Sequence, residues 1–221
     1  PVGKFAAVPG VRTAAGAFFD IDIQGKGGHG AYPHLAIDPI PIAAQLVNAL
    51  QTVVSRSTSP NDSVVFSITK IHAGDAYNVI PESARLSGTV RTFSMDKMRQ
   101  IEAQVQDLAQ STAAAFGASA ALDFKVPFHP VVNDEATTAF AGDVCASIAG
   151  DGNVLLTGAP GTGSEDFSFM AEQVPSCYLI IGNGEDSNAL HNPGYDFNDD
   201  AIVYGGSFFA RVTERELVGV R

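Results

Sequence analysis

Phe19-Asp20-Ile21-Asp22-Ile23-Gln24 alternates apolar and polar side chains, and the glycine-rich run Gly25-Lys26-Gly27-Gly28-His29-Gly30 follows it directly. Successive side chains of a strand point to opposite faces, so the alternation predicts a strand with one buried and one wet face. C-terminal to the glycine run, Asp38-Pro39 reads as a helix N-cap with proline at the first helical position. Behind it Ile42, Leu46, Leu50, Val53 and Val54 recur at helical spacing. Val64, Phe66 and Ile68 alternate as a second strand. In a third strand Leu86 and Val90 share one face, with Arg85, Ser87, Thr89 and Arg91 on the other. Ser94 is placed to cap a second helix carrying Met98, Ile101, Val105, Leu108 and Thr112, and Gly117 stands where such a helix would end. Leu122, Phe124 and Val126 complete the run as a fourth strand. The order β-α-β-β-α-β is that of the ferredoxin-like split unit.

The flanks differ. Residues 1–16 are rich in Gly and Pro and read as irregular. From Asn133 onward the pattern is α/β: a helix capped by Asn133 or Asp134 and ending near Gly150, a strand Val154 to Thr157, a helix Ser164 to Gln173, a buried strand Tyr178 to Gly182, and a last helix from Asp199 to about Val218. Two strands and three helices do not close a sheet, so partner strands from outside the chain are expected. The expected domains are therefore 1–16, 17–128 and 129–221, in an α/β fold class, with no internal repeat.

Composition bounds the function. A chain of 221 residues suffices for one large domain or two small ones. A net charge of −11, from acids scattered along the chain, disfavours nucleic acid as a partner. No apolar run approaches the roughly 20 residues of a membrane helix. Pro1-Val2-Gly3-Lys4 shows neither an initiator Met nor a signal-peptide pattern, so the chain is expected to begin inside a longer protein. Cys145 and Cys177 have no metal-ligand spacing and are expected as buried thiols in a reducing cytoplasm.

The motifs that could carry chemistry each admit a plainer reading. The glycine run satisfies G-x-G-x-x-G after a strand, but Ala31-Tyr32-Pro33 intervenes before any helix and no acidic residue ends a following strand, so a dinucleotide fold is rejected. No Gly-Lys-Ser/Thr follows, so it is not a P-loop. The run does place His29 on an exposed turn, free to approach a ligand or to remain solvated. Asn78-Val79-Ile80-Pro81 joins two strands as a turn, or presents Asn78 to a ligand. Arg91 is either part of a solvated strand face or a fork for a carboxylate. Glu165 and Asp166, at an expected helix start, suit the helix dipole or contact a substrate near a metal. His191, in Leu190-His191-Asn192-Pro193, cannot alone satisfy a zinc ion, which needs about four ligands. No H-E-x-x-H, cysteine pair or G-x-S-x-G elbow is present.

As an ordered set, these segments resemble one family. The matching stretches are Gly25 to His34 with Asp38-Pro39, Leu50-Gln51 to Ser55-Arg56, Asn78 to Pro81, Gly88-Thr89-Val90-Arg91-Thr92, Gly163 to Ser168 and Leu190 to Pro193. They look like the metal-dependent amidohydrolases and peptidases that include hippurate hydrolase, aminoacylases, indole-acetyl-amino-acid hydrolases and glutamate carboxypeptidase, the hippurate hydrolase-like branch above all. The resemblance implies a ferredoxin-like lid and dimerisation domain inserted into a zinc-peptidase-like α/β catalytic domain, of which this chain would hold the lid and the C-terminal half. It implies two divalent metal ions (Zn, Mn, Co or Ni) in the complete enzyme, with His191 the only metal ligand in this chain, so that the chain alone binds no metal and is inactive. It further implies hydrolysis of an N-acyl amino acid by metal-activated water. His29 would be the catalytic residue that stabilises the oxyanion in the partner subunit of a homodimer. Asn78, Arg91 and Glu165 would contact the substrate. The alternative is a non-catalytic dimerisation or ligand-binding module.

Overall fold

Strand β1 (Ala15–Gln24) shows why the alternation matters. Phe19, Ile21 and Ile23 are all but completely buried, while Phe18, Asp22 and Gln24 face solvent. The computed structural model describes residues 1–218, and by their contacts these divide into two compact units. One comprises residues 13–130 with 162–165 and the other residues 1–12, 131–161 and 166–218.

The unit containing β1 continues with α1 (Pro39–Ser55), β2 (Val64–Ala73), β3 (Ser83–Thr92), α2 (Met95–Ala115) and β4 (Ser119–Phe128). The four strands form an antiparallel sheet in the order β2-β3-β1-β4, the ferredoxin-like arrangement. The Asp38 carboxylate accepts the Ile40 N–H at 2.9 Å, with Pro39 at the first helical position, so the first turn of α1 starts satisfied. Ser94 caps α2 in the same way, through the Lys97 N–H. After α2, Gly117 adopts φ +77°, a conformation that stops the helix at little cost to a residue without Cβ. The two helices cover one face of the sheet. Ile42, Leu46, Leu50 and Val53 from α1 and Met98, Ile101 and Val105 from α2 meet Phe19, Ile21, Ile23, Leu86 and Val90 in one core. Each large aliphatic side chain sealed there contributes about 1.5–3 kcal/mol.

Phe19 lies stacked between Phe66 of β2 (centroids 5.0 Å apart) and Phe124 of β4 (6.5 Å). Its ring crosses β3 at Gly88, its register partner. A Cβ at position 88 would sit 2.4 Å from the Phe19 ring and 2.2 Å from the Ser67 carbonyl oxygen, so only glycine fits. The opposite face of the sheet is polar. Arg85 donates to both carboxylate oxygens of Asp22 at 2.6 and 2.8 Å, and Lys125 pairs with Asp123 at 2.7 Å. Both basic groups are held more firmly protonated by hydrogen bonds to those carboxylates. Water screens both pairs, so they add little to stability.

In the other unit, Phe5–Ala6 pairs in parallel with Val154–Leu155 and antiparallel with Ile180–Ile181. The chain therefore does supply a third, central strand, although residues 1–16 read as irregular and partner strands were expected only from outside. A two-residue strand is too short for alternation to reveal it. Asn133 ties this region together. Its side-chain amide donates to the carbonyls of Val8 (2.9 Å) and Tyr178 (3.1 Å) and accepts the Tyr178 N–H at 2.7 Å. Helix α3 (Glu135–Ala149) is capped by Asp134, which accepts the Thr137 N–H at 2.8 Å. That bond and the Thr137 hydroxyl hold the Asp134 carboxyl below its usual range. Helix α4 spans only Phe167–Ala171, against the expected Ser164 to Gln173. Gly163, Ser164 and Glu165 lie outside regular structure, and Val174-Pro175 disfavours helical continuation at the other end. Helix α5 runs Asp200–Val218. No helix among the described residues is long and apolar enough to cross a membrane.

Candidate functional site

The glycine run is zipped to the segment carrying Asn78. Gly25 N–H donates to the Glu82 carbonyl at 2.9 Å, and Gly27 N–H to a Glu82 carboxylate oxygen at 3.1 Å. Gly28 and His29 then pair with Ile80 and Val79 as a two-residue antiparallel ladder. Gly30 N–H donates to the Asn78 carbonyl at 2.8 Å. His29 opens a turn closed by the Tyr32 N–H donating to its carbonyl at 2.8 Å. The imidazole is exposed, accepts the Ala31 N–H on Nδ1 at 3.1 Å, and lies 5.4 Å from the Tyr32 ring. His29 and Asn78 are thus brought together on two paired segments. The Asn78 side chain is exposed and, among the described residues, makes no hydrogen bond. The contribution of Ala31 and Tyr32 was missed in the sequence, because backbone amides leave no residue-type signal.

Arg91 lies elsewhere. It pairs in register with Gly16 at the start of β1, whereas the His29 turn follows Gln24 at the strand's end. At about 3.3 Å per residue, the two ends of that span are roughly 26 Å apart. Arg91 is half-buried. Its Nη1 donates to the Thr89 hydroxyl and to the Val90 carbonyl at 2.9 Å, and the guanidinium sits 5.6 Å from the Phe18 ring centroid. Ser164 packs into the same corner. A Cβ at Gly16 would be 2.7 Å from Ser164 Oγ and 3.3 Å from Arg91 Nη1, so glycine permits the close approach. The Ser164 hydroxyl is buried and, among the described residues, has no hydrogen-bond partner. Ala14 N–H donates to the Gly163 carbonyl at 2.9 Å and fixes this strand of chain to the same unit. Glu165 follows, half-buried and ahead of α4; the expected position in the helix's first turn is corrected accordingly.

His191 belongs to the other unit. It is exposed and has φ +68°, the only positive φ outside glycine among the described residues. The turn around it is held by Asn192, which accepts the Tyr195 N–H on its carbonyl at 2.9 Å and the Gly194 N–H on its side chain at 2.8 Å. Histidine is among the non-glycine residues that adopt this left-handed conformation most readily. Among the described residues, no three His, Cys, Asp or Glu side chains gather in a way that could hold a metal ion. The described residues therefore do not make a metal site by themselves.

His72 lines an open cleft of about 570 Å³ with Asp22, Asp75, Glu82 and Arg85, beside the Asn78 segment. The two cysteines are free thiols. Cys145 is buried, which with the neighbouring Cys177 pushes its thiol up to about 11, and burial raises Cys177 as well.

Residues 12–116 match the family described as a peptidase dimerisation domain. The chain is 35% identical over 214 residues to an N-acetylcysteine deacetylase of Bacillus subtilis (strain 168), covering 96% of this chain and 55% of that protein. It is 34% identical over 224 residues to IAA-amino acid hydrolase ILR1-like 2 of Arabidopsis thaliana, covering 98% and 50%. Among solved structures it superposes with a TM-score of 0.77 and 28% identity on the Bacillus subtilis YXEP protein, described as a dinuclear metal binding peptidase from the M20 family, covering 96% of this chain and 52% of that one. The chain spans about half the length of the curated relatives it matches.

Proposed function

Since the chain belongs to the M20 family of amidohydrolases and peptidases, we propose that it is the C-terminal part of a metal-dependent enzyme that hydrolyses the amide bond of N-acyl amino acids, hippurate-like substrates among them. The observation that carries this reading is the His29 turn, an exposed imidazole held by backbone bonds on a rigid lid sheet, in a chain whose relatives are named for acting on acylated amino acids. In this reading 17–128 is the lid and dimerisation domain, and 1–16 and 129–221 belong to the catalytic domain. His29 donates a hydrogen bond to the oxygen that becomes negative when the amide carbonyl is attacked. Among the described residues Arg91 Nε and Nη2 have no protein partner, and the guanidinium is suited to a substrate carboxylate, with Asn78 and Glu165 as further substrate contacts. His191 supplies one ligand to two divalent ions, zinc, manganese, cobalt or nickel, whose other ligands lie outside this chain. A cytoplasmic location is part of the same reading and rests on the two free thiols.

The separation of His29 from Arg91 along β1 supports a homodimer in which His29 completes the site of the partner subunit. One N-acyl amino acid is far shorter than roughly 26 Å, the distance that eight strand residues span. The test uses the full-length protein with N-benzoyl and N-acetyl amino acids, following release of the free amine. His29→Ala and His191→Ala should each lower turnover by at least about 10²-fold. Mixing the two impaired variants and allowing subunits to exchange should restore partial activity, because one site of a mixed dimer would then have both histidines. Absence of amine release from every N-acyl amino acid by the wild-type protein overturns the reaction. Absence of restoration on mixing overturns the shared site.

A further inference from the structure

The two ring nitrogens of His29 are not equivalent. Within the turn closed by Tyr32 N–H on the His29 carbonyl, the Ala31 N–H points back at Nδ1 and donates to it at 3.1 Å. A ring nitrogen that accepts a hydrogen bond carries no proton. In the neutral imidazole the single ring proton is then on Nε2. Two further contacts fix this arrangement. Gly30 N–H is held by the Asn78 carbonyl at 2.8 Å, which anchors the turn to its neighbour. The Tyr32 ring packs against the imidazole, 5.4 Å between centroids and inclined at 48°, which opposes a flip that would exchange Nδ1 with a ring carbon.

We infer that Ala31 and Tyr32 are positioning residues for His29. The Ala31 amide selects the Nε2–H tautomer, and the Tyr32 ring sets the direction in which that proton points. Given the role proposed above for His29, the group that meets the scissile carbonyl of an N-acyl amino acid is a neutral Nε2–H donor. The other tautomer would present a lone pair to an oxygen gaining negative charge, and repulsion would replace the hydrogen bond. No residue type in the motif announces this. Gly30 and Ala31 matter here through their backbone amides, and Tyr32 through a ring that is otherwise exposed to solvent.

The tautomer can be read without turnover. In full-length protein labelled with ¹⁵N-histidine, held about two pH units above the ordinary histidine value of ~6.5, long-range ¹H–¹⁵N correlation resolves the two ring nitrogens. The resonance that vanishes in His29→Gln should show a pyridine-type Nδ1 and a pyrrole-type Nε2. A reversed pair, or one averaged signal for both nitrogens, overturns the assignment whatever the activity. Tyr32→Ala should move the pair toward the average and lower kcat about tenfold with little change in KM, as expected for a misoriented group. Tyr32→Phe should restore both readings, and a Tyr32→Ala protein with unchanged nitrogen shifts and unchanged kcat removes Tyr32 from the device. His29→Gln, whose amide NH₂ falls near the Nε2 position, should retain more turnover than His29→Asn, whose amide falls near Nδ1; the opposite order counts against donation from Nε2. The expected tautomer together with full turnover in both His29 variants would leave the positioning intact and refute the catalytic role proposed for His29.

Discussion

The two units use similar apolar content in opposite ways. In residues 13–130 the large aliphatic side chains of β1, α1 and α2 are sealed in one core between two helices and a four-stranded sheet. In the other unit the strands are two residues long, and Leu155, Leu156, Met170, Ile180, Ile202, Val203 and Phe209 are each more than half exposed. Beside α5 an apolar hollow of about 280 Å³ is lined by Phe5, Phe167, Tyr178, Ile181, Phe208 and Phe209. Large exposed apolar patches mark interaction surfaces or ligand-binding grooves. The contrast teaches that the ferredoxin-like unit carries within itself the packing that specifies it. The other unit leaves much of its apolar surface uncovered.

Deletion at matched helical sites gives the largest expected difference. Leu46→Ala, in α1 with the side chain fully buried, should destabilise the protein by about 2–5 kcal/mol in urea unfolding. Ile202→Ala in α5, 57% exposed, should change stability by no more than about 0.5 kcal/mol. Equal losses at the two sites would break the comparison. On activity, His29→Ala in the full-length protein should lower kcat by about 10²–10³ with the far-ultraviolet dichroism unchanged, because it removes one donor from a folded surface. Gly88→Ala should cost about 1–3 kcal/mol through overpacking between Phe19 and Ser67. A neutral result would mean that the Phe19 ring repacks freely.

Two smaller effects concern the less closed unit. The Asp134 carboxyl is held low by the Thr137 amide and hydroxyl, so its cap is worth most above the unfolded value of about 3.9. That contribution should be lost as pH falls through the lower folded value. The protection factors of the α3 amides, taken relative to intrinsic exchange at each pH, should fall on acidification in the wild type and depend less on pH in Asp134→Asn. The smallest signal is chemical: Cys145, its thiol raised to about 11, should react with iodoacetamide at neutral pH far more slowly in the native protein than in urea. Its neutral form is favoured by folding, so any stability it lends is present below the ordinary thiol range and fades as pH climbs toward about 11.

The ferredoxin-like unit was legible because its signals are long and redundant. Alternation in β1, helical spacing in α1 and α2, the caps Asp38 and Ser94 and the stop at Gly117 all agree with one another. Helix α2 was read with Leu108 and Thr112 on its inner face, yet Ala109 and Ala113 are the buried residues there. Alanine is common on both faces of helices, so spacing alone could not choose. Phe5–Ala6 was missed because two residues between Gly3 and Pro9 carry no periodicity. The helix expected from Ser164 begins instead at Phe167, because Gly163 and Ser164 are held against Ala14, Gly16 and Arg91, partners far away in sequence. For the site, the pairing of His29 with the Asn78 segment was not visible, since a two-residue ladder is decided by where two loops meet. The wide spacing of His29 and Arg91 followed only from the register of β1 with β3.

Alternation leaves one ambiguity that Gly88 removes. Sliding β3 past β1 by two residues would keep every apolar side chain on the inner face, so the hydrophobic pattern cannot distinguish that arrangement from the native one. Such a slide would bring Leu86 or Val90 opposite Phe19 in place of Gly88. The ring could then no longer cross the strand to reach Phe66. The missing side chain acts as a keyway and the phenyl ring as its key. The sheet locks at one setting among several that burial alone would accept, and the same setting aligns the strand ends from which the His29 turn and the Arg91 corner project.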